Sequence, residues 1–286
     1  MQINPKKDII AVVVWYNPTA KQAQNILSYI HEVRRVVVVD NSTASNLHLL
    51  VEVDKELYEY IPLKSNLGIA TALNKGCEEA IGLNAKWILT MDQDSCWNKE
   101  QLLLYFDLAN QYRNLREVGV FSPQQCYKGN LKKHLEPYTE KVAVMTSGSL
   151  LSTSGFKKAN GFRDEFFIDE VDDEYCMHIH QLGMRVVTIN NAYLIHQLGE
   201  LHKIKLFGII EKEYIYHLPF RYYYMVRNIL ALNLLYPTYK NFNNKRLGKI
   251  IKRILIYDQS HKCESIKMCL RGWHDFRKGI MGKIKN

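Results

Sequence analysis

The 286-residue chain is short of several signatures that would settle its class at once. It has no Gly-x-Gly-x-x-Gly and no Walker lysine loop, which excludes the dinucleotide fingerprint and the P-loop. Its six cysteines (Cys77, Cys96, Cys126, Cys176, Cys263 and Cys269) form no Cys-x-x-Cys pair. They read as free thiols of a reducing cytosol, with no zinc site. The aromatic stretch 220–236 carries Arg221 and Arg227, and its uninterrupted apolar run falls short of the ~20 residues of a membrane span. The first eight residues are polar and lack an apolar core, so no signal peptide is expected.

What remains is an ordinary globular composition, 47% hydrophobic and 23% charged, long enough to bury a substantial core. The net charge of +9 is unevenly placed. Residues 240–286 hold 13 Lys/Arg against three acids, a net of +10, leaving 25 against 26 for the rest. Such a tail meets nucleic acid or anionic lipid, or is a solvated helical face.

The body alternates strand and helix. Ile9-Ile10-Ala11-Val12-Val13-Val14-Trp15 and Val36-Val37-Val38-Val39 are continuous apolar runs that read as central parallel strands. A helix is expected over 20–31, a weaker third strand over 58–63, and a helix after Gly68 with Ala72, Leu73, Cys77, Ala80 and Ile81 inside. Trp87-Ile88-Leu89-Thr90-Met91 is the fourth strand. Four such alternations mean an α/β protein with a doubly wound, mostly parallel sheet. A helix over 99–112 and a strand over 118–121 follow. The stretch 142–154 is strand-like with a small polar centre, Thr146-Ser147-Gly148-Ser149, that suits close passage beneath a substrate. Residues 183–188 and 192–195 read as two short strands. The division expected is 1–215 as the catalytic domain and 216–286 as a basic, amphipathic helical extension.

Chemistry gathers at four places. Asp92 and Asp94 stand one residue apart where the fourth strand runs out, and that edge binds ligands in open α/β sheets. The pair is either a polar turn or an oxygen site for Mg²⁺ or Mn²⁺ shared with a nucleotide diphosphate. Asp40 ends the second strand, as a nucleoside contact or a helix cap. Gly68 would let backbone approach a ligand. Asp169, Glu170, Asp172, Asp173 and Glu174 form a second acidic cluster, either the acidic first turn of a helix or the source of a general base. His196 is a structural residue or a ligand, and the latter only if it lies near Asp94.

Taken together the motifs resemble glycosyltransferase family 2, the inverting GT-A type, in its bacterial rhamnosyltransferase branch. The resemblance rests on Val13-Val14-Trp15-Tyr16-Asn17-Pro18, Val39-Asp40-Asn41-Ser42, Ser65-Asn66-Leu67-Gly68-Ile69-Ala70, Met91-Asp92-Gln93-Asp94-Ser95 and Phe167-Ile168-Asp169-Glu170-Val171-Asp172-Asp173-Glu174. His196 and Tyr223-Tyr224-Met225-Val226-Arg227-Asn228 continue it over roughly residues 9–235. It implies a nucleotide-sugar donor held by Tyr16, Asp40, Asn66, Gly68, Asp92 and Arg227. It also implies a metal on Asp94 and His196, and Asp172 as the base with Asp169 as its rival. Val171 stands where the family's Glu is expected, and His178 where that helix usually carries Arg. No Gln-x-x-Arg-Trp motif of processive synthases is present, so one sugar per encounter is implied. The implied donor is dTDP-rhamnose, and the acceptor a lipid-linked or polysaccharide glycan. A cytoplasmic protein, peripheral on the inner face of the cytoplasmic membrane, is the expected setting.

Three rivals remain. One is transfer of galactose or glucose from UDP. Another is a nucleotidyltransferase, which normally opens with a Gly-rich basic loop that Trp15-Tyr16-Asn17-Pro18 is not. The third is a basic nucleic-acid-binding protein, for which the near-neutral body argues poorly.

Overall fold

The computed structural model describes residues 2–127, 130–131, 133–196, 201–206, 210–257 and 261–285, with backbone alone at 196, 201–206, 210–213 and 215. The chain divides into two compact units. One comprises residues 1–164 and 172–197, the other 165–171 and 198–286.

The first unit is built on a sheet. Its strands are β1 (Ile9–Trp15), β2 (Arg35–Asp40), β3 (Tyr58–Pro62), β4 (Trp87–Asp92), β5 (Ser95–Cys96), β6 (Val118–Cys126), β7 (Tyr138–Glu140), β8 (Ser149–Ser152) and β9 (Arg185–His196). The helices are α1 (Pro5–Asp8), α2 (Ala20–Gln24), α3 (Ile69–Gly82), α4 (Lys99–Gln111), α5 (Thr153–Ala159) and α6 (Val171–Gln181). The order is β3-β2-β1-β4-β8-β6-β9-β5, with β7 on β9. From β3 to β4 every pairing is parallel, as the apolar runs predict. Beyond β4 the sheet is mixed, because β8 runs antiparallel between β4 and β6. All seven residues of β1 are buried, which is why that strand reads as continuous apolar sequence rather than alternation.

Two local expectations change. The helix over 20–31 stops at Gln24 and continues as a 3-10 turn, Asn25–Ser28. Here Asn25 Nδ2 donates to Gln93 O (2.8 Å), a bond outside the helix. The two strands expected over 183–195 are one strand, β9, whose register against β6 slips between Pro123 and Gln124. Its Asn190-Asn191 step is a bulge rather than a turn.

The second unit holds the hairpin β10 (Leu201–Leu206) and β11 (Ile210–Ile215), then α7 (Pro219–Leu235), α8 (Lys240–Ile256) and α9 (Lys262–Arg277). α7 buries Tyr222, Met225 and Ile229 against Ile250 and Ile254 of α8. The division expected at 215/216 is therefore corrected. The hairpin belongs with the helices, and so does the loop 165–171. That loop is held by side chains of α7. Arg227 Nη2 donates to Glu165 O and Phe166 O (both 3.2 Å). Asn228 Nδ2 bonds the carbonyls of Phe166, Ile168 and Asp169.

Candidate active site

Parallel pairing sets the site's edge. Trp15 lies opposite Asp40, Val14 opposite Asp92, and Asp40 opposite Pro62. The loops leaving β3, β2, β1 and β4 therefore emerge side by side. They carry Asn66 and Gly68, Asp40, Tyr16, and Asp92 with Asp94. The chain passes from β1 to β2 on one side and later places β4 on the other. That is a topological switch point, where open α/β sheets form their ligand crevice.

Asp92 and Asp94 are both half-buried. Burial, and then the charge of Asp94, pushes the Asp92 carboxyl up to about 7. The residue between them is a clamp. Gln93 Oε1 accepts the N–H of Tyr16 (2.7 Å), and its Nε2 donates to Tyr16 O (3.3 Å). The Asp-x-Asp turn is thereby tied to the end of β1, with Tyr16 49% exposed. Two phenols sense the pair. Tyr127 is raised by burial and by Asp92 and Asp94, Tyr29 by burial and by Asp92.

Asp172, in the first turn of α6, joins these acids. Burial, Asp173 and Asp92 push its carboxyl up to about 7. The small polar loop before β8 fastens it. Thr146 N–H donates to Asp172 Oδ2 (3.1 Å), while Asp92 N–H donates to Ser147 Oγ (3.2 Å). Ser147 Oγ in turn bonds Ser95 Oγ (2.8 Å), and Gly148 N–H returns to Thr90 O (2.7 Å). Gly148 has φ +79°, and a Cβ there would stand 2.9 Å from Leu194 Cδ2. Thr146 and Ser147 thus tie both acids to one backbone. Their small, polar composition was the signal, although it named no partner.

The second acidic cluster separates by partner. Asp169 forms a two-point ion pair with Arg221, Glu170 pairs with Arg246, and Glu174 pairs with Arg163 (3.0 Å). Asp169, the rival base, has a carboxylate only 8% exposed, and both its oxygens accept from the Arg221 guanidinium. Arg227, expected as a diphosphate contact, is buried among residues of the second unit. Its five N–H groups are all engaged, by Asn228 Oδ1, Tyr223 Oη, Gly282 O, Glu165 O and Phe166 O. The guanidinium also lies over the Tyr223 and Tyr224 rings and is fully buried.

Asp40 is 1% exposed. Its oxygens accept from Ser42 N–H (3.0 Å), Asn46 N–H (2.8 Å), Asn46 Nδ2 (3.0 Å) and Tyr60 Oη. Burial raises its carboxyl, and these bonds outweigh burial and hold it below the usual range. These bonds shape the loop 41–46 around the carboxylate expected to meet the nucleoside. Asn66 Oδ1 accepts Gly68 N–H (3.0 Å), and Gly68 opens α3 at φ +90°. The backbone of His196 lies opposite Ser95, the residue after Asp94; its side chain and Gln197-Leu198-Gly199 lie outside the described residues. A cavity of about 400 Å³ sits at the opposite edge of the sheet, lined by Lys86, Trp87, Arg116 and Thr153 among others. It holds no carboxylate or histidine and offers no comparable chemistry.

The same architecture occurs in solved structures. S. aureus TarS 1–349 in complex with UDP-GlcNAc matches with a TM-score of 0.61 at 17% identity, over 96% of this chain and 81% of that one. GalNAc-T7 with UDP, GalNAc and Mn²⁺ matches with a TM-score of 0.54 at 12% identity, over 66% of this chain and only 44% of that one. The fold is that of a GT-A glycosyltransferase. The Glycosyl transferase family 2 model matches residues 12–159, and the chain belongs to that family. Among curated relatives, dTDP-rhamnosyl transferase RfbF of Shigella flexneri is 29% identical over 96% of this chain and 97% of its own length.

Proposed function

We propose that this glycosyltransferase is an inverting rhamnosyltransferase. It moves one rhamnosyl group from dTDP-rhamnose to a lipid-linked or polysaccharide glycan. The observation that carries the reading is the meeting of Asp92, Asp94 and Asp172 at the switch point, with Asp172 tuned to about 7. The near full-length likeness to RfbF supports the donor sugar. Loops 41–46 and 66–68 are the proposed seat of the nucleoside, with Tyr16 beside them.

Mg²⁺ or Mn²⁺ fits the residues present. Asp92 and Asp94 offer hard oxygens, and burial together with the charge of Asp94 makes ionising Asp92 costly unless a cation is near. Among the described residues no three His, Cys, Asp or Glu side chains form a closed ligand set. A pair of carboxylates suits an ion that keeps waters and shares phosphate oxygens. His196 is the proposed nitrogen ligand. When bound, the ion supplies positive charge toward the departing diphosphate.

The acceptor oxygen attacks the anomeric carbon as the bond from that carbon to the diphosphate oxygen breaks. The bonding electron pair leaves with dTDP, and the hydroxyl proton passes to Asp172. One in-line displacement inverts the anomeric centre. A carboxyl near 7 suits the base, because it is substantially ionised at neutral pH and still holds a proton well.

We further infer a cytoplasmic enzyme that rests on anionic lipid through its second unit. Ile266, Leu270 and Trp273 face outward at helical spacing on α9, beside exposed Lys267 and Arg277. Among the described residues no helix is long and apolar enough to cross a membrane.

The test is a thermal-shift and calorimetric screen of dTDP-rhamnose, UDP-galactose and UDP-glucose with and without Mn²⁺, followed by a transfer assay. The expected result is a Mn²⁺-dependent shift with dTDP-rhamnose, abolished by chelator and by Asp94→Asn. A shift with a UDP-sugar alone replaces the donor.

A further inference from the structure

Three of the seven described non-glycine residues with positive φ crowd into four positions: Phe167 (64°), Asp169 (61°) and Glu170 (63°). Asparagine tolerates this region, but a bulky Phe rarely enters it. Such backbone persists only where its surroundings over-determine it.

Here the surroundings are unusually complete, and all belong to the second unit. Asn228 Nδ2 bonds three successive parts of the loop, the carbonyls of Phe166 (3.0 Å), Ile168 (3.0 Å) and Asp169 (2.8 Å). Arg227 holds Glu165 O and Phe166 O and reaches Gly282 O (2.5 Å), while Gly282 N–H returns to Glu165 O (2.7 Å). The Phe167 ring stacks on Tyr224 at 5.3 Å. Arg221 grips Asp169, and Arg246 pairs with Glu170. The held loop then becomes α6 at Val171, and Asp172 is the second residue of that helix. No freely rotating linker separates the left-handed residues from the acid.

We propose that Arg227 and Asn228 are positioning residues for proton transfer: by holding the left-handed backbone of 167–170 they fix where α6 begins and so where the carboxyl of Asp172 stands. This rests on Asp172 being the base. The effect belongs to the chemical step and not to donor binding, because the clamp's bonds go to loop carbonyls and to Asp169 and Glu170.

The experiment uses the full chain with saturating donor and acceptor. Asn228→Ala is expected to lower kcat about 10- to 100-fold, the scale of an ångström-sized misplacement. Donor affinity by calorimetry should stay within about twofold. Introduced into Asp172→Asn, the same substitution should change the residual rate less than about twofold, since the two changes act on one step. Ile254→Ala, in the α7–α8 core, is the control for simple loss of stability and keeps near-normal kcat. If Asn228→Ala is insoluble, Arg221→Lys replaces it. That variant keeps the charge, loses the two-point grip and gives a smaller loss of the same pattern. Near-normal kcat in the clamp variant beside a lost kcat in Asp172→Asn overturns this proposal alone. Equal fold-losses in both backgrounds, or in Ile254→Ala, overturn it as well. Normal kcat in Asp172→Asn overturns the base assignment and this proposal with it.

Discussion

At the residue scale, Asp169 and Asp172 lie three positions apart and have different partners, the Arg221 guanidinium and the Thr146 N–H. Asp172→Asn is expected to lower kcat by about 10²–10⁴-fold with donor affinity unchanged. Asp169→Asn removes the partner of Arg221 and is expected to cost about 1–3 kcal/mol of stability, read by urea denaturation. Both Asp92 and Asp172 are raised to about 7 in the folded state, so the native protein binds more protons than the unfolded chain between about pH 4 and 7. Stability of the metal-free protein should therefore fall as pH rises across that window. A flat or rising Tm from pH 4.5 to 7 would contradict the tuning, and Asp92→Asn or added Mn²⁺ should flatten the slope. The carboxylates were legible because an acid at the end of an apolar strand is chemically conspicuous. The surroundings of Arg227 were not legible, because sequence shows that a cation is present and not which carbonyls surround it. Gln93 was passed over because the middle of Asp-x-Asp carries no charge, although its amide ties that turn to Tyr16.

At the scale of elements, the loop before β8 matters most. Gly148→Ala meets both a left-handed φ and Cβ contacts of 2.9 Å to Leu194 Cδ2 and Pro123 Cγ. The expected loss is about 1–3 kcal/mol. A fall in kcat should accompany it, since the neighbouring Thr146 and Ser147 hold Asp172 and Asp92. Unchanged stability and activity would show that the loop adapts freely. The strands β1, β2 and β4 could be read from the chain because burial on both faces leaves their interiors apolar, with Thr90 the one polar interior position. β9 could not be read as one strand, because a bulge and a turn share the same Asn-Asn composition. The antiparallel insertion of β8 was likewise hidden, since pairing direction leaves no trace in a four-residue strand.

At the scale of the whole molecule, the basic C-terminal region is an amphipathic helical array, as its interleaved Lys, Arg and Ile residues predicted. Leu270 and Trp273 are 61% and 46% exposed. Replacing both with Ser should weaken co-sedimentation with phosphatidylserine vesicles, and high salt should weaken it for the unaltered protein. Undiminished sedimentation of the double variant would remove the lipid surface as its partner. The boundary between units was the least legible feature. Residues 165–171 look like any acidic lead-in to a helix, and only their carbonyl partners in α7 show where they belong.

That loop also sets an order in time. During synthesis it leaves the ribosome 62 positions before Arg227 and further still before Gly282. At ~5–20 residues per second its grip arrives seconds late. The parallel strands β1 to β4 precede it and have their pairing partners already made. A chain interrupted before α7 thus has those strands, yet lacks the side chains that hold the carbonyls of 165–169.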